Sequence, residues 1–190
     1  MTRTHVAALV GSLREASKSR VAARHALDAC EAAGATTDLV DLRELDLQVF
    51  DADDREAGDA AELTRRVERA DAILLATPMY HGSYSSVLKT AIDYCGFDEF
   101  EHDTVGLLCV SGGAFPVSAL EHLRSVCRAL DAWVLPYQAA IPHASRHVED
   151  GEITDDDLAD RVATLGRELV EYAHIEPDPA TFESQENVGG

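Results

Sequence analysis

Lysine is nearly missing from this sequence: Lys18 and Lys89 are the only two among 16 cationic residues, against 35 Asp and Glu, for a net charge of −19. So large a negative field repels nucleic acid and anionic membrane surfaces, which excludes partners bound through their phosphates over a broad surface. The acid is spread along the chain rather than gathered in a tail. That pattern suits a heavily hydrated surface in a salt-rich cytoplasm, where screening weakens self-repulsion.

Long apolar runs are lacking too. Stretches such as Ala72 to Ala76 fall far short of the roughly 18 residues that span a bilayer. Met1 to Val10 has neither a signal-peptide core nor a cleavage site, so the expected location is cytoplasmic. The four cysteines, at 30, 95, 109 and 127, show no C-x-x-C pairing and no metal-ligand spacing. Reduced, buried thiols are expected, and neither a zinc site nor a disulfide framework is indicated.

What is present reads as one globular unit. The 190 residues are 46% hydrophobic and 27% charged, close to ordinary domain values, which excludes disordered, collagen-like and coiled-coil chains. Apolar runs of strand length recur at Val6 to Val10, Leu39 to Leu42, Ile73 to Ala76, Val105 to Val110 and Trp133 to Leu135. Between them lie segments of helical period, such as Ala23, Ala26, Leu27 and Cys30, or Leu120, Leu123, Cys127 and Leu130. Asp59 with Glu62, Ser118 with Glu121 and Thr154 with Asp157 have the spacing of helix starts. Strands alternating with helices predict an α/β domain: a doubly wound five-stranded parallel sheet with helices on both faces. The domain is expected over residues 1–175; residues 176–190, with Pro177, Pro179 and a final Gly-Gly, are acidic, have no period and read as a loose tail.

Two common phosphate cradles are missing. After the first strand, Gly11 to Arg20 (GSLREASKSR) is neither G-x-G-x-x-G nor G-x-x-x-x-G-K-[ST]. It still stands where an open α/β sheet binds anions, at a helix N-terminus. Ser12, Ser17 and Ser19 offer hydroxyls, and Arg14 can pair with two oxygens, an inventory suited to a terminal phosphate monoester. Between Arg14 and Arg24 the sign of the charge inverts, with Arg14, Lys18, Arg20 and Arg24 opposed only by Glu15.

A second loop follows the third strand, Thr77-Pro78-Met79-Tyr80-His81-Gly82-Ser83-Tyr84-Ser85. Pro78 is expected to stop the strand and Gly82 to allow an unusual turn. Such a loop can set backbone groups against the edge of a planar heterocycle, with Met79 and Tyr80 supplying contact area. A third loop, Ser111-Gly112-Gly113-Ala114-Phe115-Pro116, follows the fourth strand.

Gly11-Ser12-x-Arg14-x-x-Ser17-x-x-Arg20, the segment Thr77 to Ser85 and Leu88-Lys89 together resemble the flavodoxin-like NAD(P)H-dependent FMN reductases, over about residues 5–137. The resemblance implies noncovalent FMN, with its phosphate at Ser12, Arg14, Ser17, Ser19 and Arg20. It places the ring along Pro78, Met79, Tyr80, His81, Gly82 and Ser83, and the ring's other edge at Ser111, Gly112 and Gly113. In the strand order 2-1-3-4-5 all three loops meet in one crevice at the switch point. Many members carry Glu-Tyr-Asn where this chain has Met79-Tyr80-His81, and Pro-Gly where it has Ser85-Ser86. His81 is thus either a donor to a flavin carbonyl or an exposed loop residue.

The implied activity is transfer of electrons from NADPH or NADH to FMN, a quinone, an azo compound or another small acceptor. The cofactor carries that chemistry, so no dedicated acid or base is required. An FMN electron carrier serving redox proteins is the alternative. A phosphoacceptor domain of the same topology would need an aspartate where Thr77-Pro78 stands. No G-x-S-x-G elbow marks a hydrolase. His143 and His147 lack a third ligand, and Lys89 and Asp93 are read as a structural pair. Relatives form dimers or tetramers, which makes Tyr84, Tyr94 and Phe50 to Gly58 expected contact regions.

Overall fold

A computed structural model of the protein describes residues 3–175; the expected tail at 176–190 lies outside them. In chain order the elements are β1 (His5–Val10), α1 (Lys18–Ala32), β2 (Thr36–Asp41), α2 (Ala60–Glu68), β3 (Ala72–Tyr80), β4 (Ser83–Tyr84) and α3 (Ser86–Tyr94). There follow α4 (Phe97–Phe100), β5 (Thr104–Val110), α5 (Val117–Ala129), β6 (Trp133–Ile141), β7 (Val148–Glu149), β8 (Glu152–Ile153) and α6 (Asp156–Glu171). The main sheet runs β2-β1-β3-β5-β6, all parallel, with β4 antiparallel to the end of β3; β7 and β8 form a separate ribbon. This is the expected order once the two-residue β4 is counted.

Alternation along each strand feeds two cores. From β1, Val6, Ala8 and Val10 pack with α1 and α6, while Ala7 and Leu9 pack on the other face with α2, α3 and α5. All seven residues of β5 are buried, as a central parallel strand requires. The four cysteines are free and buried, and burial pushes the thiols of Cys30, Cys109 and Cys127 up to about 12, which leaves them unreactive. Among the described residues no helix is long and apolar enough to cross a membrane.

The helix starts differ from the spacing-based expectation. Asp59 does precede α2, but its carboxylate accepts from the Asp46 amide at 2.8 Å rather than from its own helix. α5 begins after Pro116, which leaves Ser118 inside the first turn. α6 is capped by Asp155, whose Oδ1 accepts from the Leu158 amide at 3.1 Å, one residue beyond Thr154. Pro78 does not stop β3, which runs on to Tyr80. The reason is parity: Ala76 turns its carbonyl to the Gly11 amide of the β1 side, so Pro78, two residues on, faces that side where β1 has ended. Its missing N–H breaks no ladder bond.

At the opposite end of the sheet, burial and the neighbouring Asp71 raise Asp103 to about 6. The folded chain therefore holds this proton more tightly than the unfolded chain. The associated stability is present below an ordinary aspartate value of about 3.9 and lost as pH rises through the folded value. Asp103→Asn is expected to raise unfolding stability by about 1–3 kcal/mol near pH 7.5 and to change little near pH 4. Denaturant titrations of both chains at the two pH values measure this.

Candidate functional site

Three loops leave the carboxyl ends of β1, β3 and β5, which are neighbours in the sheet, so residues 11–17, 78–85 and 111–116 border one crevice. The first two are joined at their roots by Ser85. Its buried hydroxyl donates to the Gly11 carbonyl at 2.6 Å and accepts from the Leu88 amide at 3.1 Å, capping α3. Its own amide donates to Thr77 Oγ1 at 3.0 Å. Gly11 is needed beneath this joint, because a Cβ there would lie 2.7 Å from both Leu88 Cβ and Ser85 Oγ.

Ser12 and Ser17 of the first loop and Ser19 in the first turn of α1 are all at least 97% buried, whereas Arg14 is exposed and joins no ion pair among the described residues. Ser17 caps α1, accepting from the Arg20 amide at 3.1 Å, and its hydroxyl proton stays free to donate. The other cations of the segment divide. Lys18 donates to the carbonyls of Ala144 at 2.8 Å and Val148 at 2.7 Å, tying α1 to the chain beyond β6. Arg20 lies 2.6 Å from the buried Asp41 and also donates to the Glu15 carbonyl. Its guanidinium, expected on the phosphate, is thus engaged in holding the loop to β2.

The second loop is a hairpin. Met79 pairs with Tyr84 and Tyr80 with Ser83, joined by His81 (φ 50°) and Gly82 (φ 81°). Two successive positive φ angles make the tight mirror-image turn that matches strand twist, and glycine supplies the second without strain. His81 stands exposed at the tip. Sequence reasoning missed what supports this tip: from α5, Ser118 Oγ donates to Met79 Sδ at 3.9 Å and His122 Nδ1 lies 2.9 Å from Ser83 Oγ. Their four-residue spacing on one helix face was the available signal.

In the third loop Ser111 Oγ donates to the Gly113 carbonyl at 2.7 Å, and the amides of His143 and Ala144 donate to Gly113 and Ser111. Neither Gly112 nor Gly113 has a positive φ, and a Cβ at either would meet no atom of the described residues within 4 Å beyond its chain neighbours. They leave the crevice wall open rather than make a turn. Tyr94, an expected contact residue between subunits, is instead 4% exposed, edge-on to Phe50. Lys89 and Asp93 form the expected ion pair along α3.

The electrostatics of the crevice run against those of the chain. The helices that start at it, α1, α3 and α5, have no acidic residue in their first turns, whereas α2, α4 and α6 have Glu62, Asp98 with Glu99, and Asp156 with Asp157. In a chain of net charge −19, the helix dipoles facing the crevice are left uncompensated, which suits an anionic ligand. The donor set of the first loop fits a phosphate monoester, and the open third loop fits a flat ring beside it.

Residues 4–146 match the model of the family described as NADPH-dependent FMN reductase. The FMN-dependent NADPH-azoreductase of Staphylococcus haemolyticus is 30% identical over 179 residues, covering 89% of this chain and 95% of that protein. The NADPH azoreductase of a Bacillus species is 33% identical over 147 residues, 77% of this chain and 80% of that one. In fold, the flavoenzyme NAD(P)H:acceptor oxidoreductase FerB of Paracoccus denitrificans superposes with a TM-score of 0.75 at 23% identity, over 90% of this chain and 97% of that one. The match over most of the chain, on the fold and crevice described above, establishes that this protein belongs to the NADPH-dependent FMN reductase family and is an FMN-dependent oxidoreductase fed by NAD(P)H.

Proposed function

We propose that the crevice holds the FMN phosphate on Ser12, Arg14, Ser17 and Ser19 with the free amides of α1, and the ring between Pro78 to Ser83 and Ser111 to Gly113. The physiological acceptor is then a small azo compound or quinone. The observation that carries this reading is the local reversal of electrostatics: the helices that start at the crevice have no acid in their first turns, and the loop before α1 carries an exposed Arg14, in an acidic chain. Bound FMN supplies hydride acceptance from the nicotinamide and electron delivery to the acceptor. The chain's own work is to bind, orient and shield. Serine hydroxyls and Arg14 hold the anion, the hairpin backbone meets the heterocycle edge, and Met79 and half-exposed Tyr80 supply contact area. His81, at the hairpin tip, is assigned to the flavin's polar edge.

The reading extends to one FMN-binding unit over residues 1–175, working in the cytoplasm as a homodimer or homotetramer. Tyr84 and the segment Phe50 to Gly58 remain the proposed contacts between subunits.

The test is the visible spectrum of the protein supplied with FMN in high salt, recorded without oxygen before and after NADPH and then NADH. A bound-flavin spectrum bleached by a nucleotide is expected, and the nucleotide that bleaches it faster is the donor. Flavin bleached by dithionite alone would make the protein an electron carrier. Absence of binding would overturn the site.

A further inference from the structure

We propose that His122 is a positioning residue for the flavin, acting through Ser83 to hold the β3–β4 hairpin in its ring-receiving pose. The inference rests on the reading that this hairpin meets the flavin ring. The hairpin has only two cross-strand pairs, Met79 with Tyr84 and Tyr80 with Ser83, and a ribbon this short does not hold its shape alone. Its root is fixed by Thr77 and Ser85, as described. Its outer half is braced from α5: His122 Nδ1 lies 2.9 Å from Ser83 Oγ, and one helical turn earlier Ser118 reaches Met79 Sδ. These contacts link residues 39 apart in sequence and fall on both strands of the hairpin.

His122 itself is exposed, on the polar face of α5, whose buried face is formed by Ala119, Leu120, Leu123 and Cys127. The helix and the core therefore do not depend on an imidazole at this position, while the hairpin does. One exposed hydrogen bond is a modest constraint. Its loss is expected to appear as a small change in flavin affinity and environment, and not as unfolding.

His122→Leu is expected to weaken FMN binding about three- to fivefold and to shift the visible bands of the bound flavin, with thermal stability unchanged. His122→Asn, whose amide places a donor or acceptor where Nδ1 stood, is expected to restore both. Ser83→Ala should reproduce the His122→Leu effect, and the double variant should add little to it, since both remove one bond. An Asn variant as impaired as the Leu variant would overturn the assignment of the effect to that bond. Gly82→Val, which strains the turn directly, separates the two levels of the argument. If it changes FMN affinity and spectrum while His122→Leu does not, the brace is disproved and the site stands. If neither changes them, the hairpin does not meet the ring and the inference fails with it.

Discussion

Arg14→Ala is expected to weaken FMN binding by about 10- to 100-fold while leaving the apoprotein's unfolding midpoint unchanged. The size follows from the loss of charge-assisted hydrogen bonds to a phosphate, worth about 1.5–3 kcal/mol. The selectivity follows from the structure: Arg14 is exposed and joins no ion pair among the described residues, so the folded chain loses little with it. Arg20→Ala, six residues on, should behave in the opposite way. The Arg20 guanidinium faces Asp41, whose carboxylate is 3% exposed and, among the described residues, would keep only the Arg43 amide at 3.2 Å. Orphaning that carboxylate is expected to cost about 2–4 kcal/mol of stability, and any effect on FMN would follow from loosening of the loop. Fluorescence titrations with FMN and thermal melts of both variants, at one fixed salt concentration, distinguish the two roles. Unchanged FMN affinity in Arg14→Ala would move the phosphate away from the first loop.

The contrast between these two arginines marks where sequence reasoning ended. Central strands were legible because burial on both faces leaves an unbroken apolar run, as in Val105 to Val110. Edge strands were less so. The first four residues of β2 are only half-buried, and only its end was recognised. In β6 the register against β5 slips between Val105 and Leu107, and Pro136 interrupts the apolar pattern, which hid the strand's second half. The three loops could be found from position and residue type, since anion-binding chemistry needs hydroxyls, a guanidinium and a helix start. What each residue does could not be found that way, because the deciding partners are remote. Ser85 meets Gly11 across 74 residues, and Lys18 meets Ala144 across 126. Local spacing likewise gave Thr154 and Ser118 as helix caps, where competition from Asp155 and Pro116 decided otherwise.

Gly11→Ala is expected to lower both stability and FMN affinity, because this one position joins the core to the crevice. Its φ is ordinary, so backbone strain is not the reason. The added methyl would stand 2.7 Å from Leu88 Cβ and from Ser85 Oγ, and 3.4 Å from Leu88 Cα. None of these can yield readily. Leu88, on the first turn of α3, is fully buried, and Ser85 Oγ is held between the Gly11 carbonyl and the Leu88 amide. The strain can be relieved only by moving the first turn of α3 off the end of β1, at about 1–3 kcal/mol, or about 2–12 °C in midpoint for a domain of this size. The same movement breaks the joint that sets the first loop against the hairpin, so the phosphate and ring subsites lose their spacing. Gly112→Ala is the control. Among the described residues its methyl meets no atom within 4 Å beyond its own chain neighbours, so the fold should keep its stability while the wall of the crevice narrows. Thermal melts and FMN titrations of the two variants should therefore show coupled losses for Gly11→Ala and a loss of affinity alone for Gly112→Ala. Coupled losses in Gly112→Ala would mean that the third loop packs on protein rather than borders the ligand.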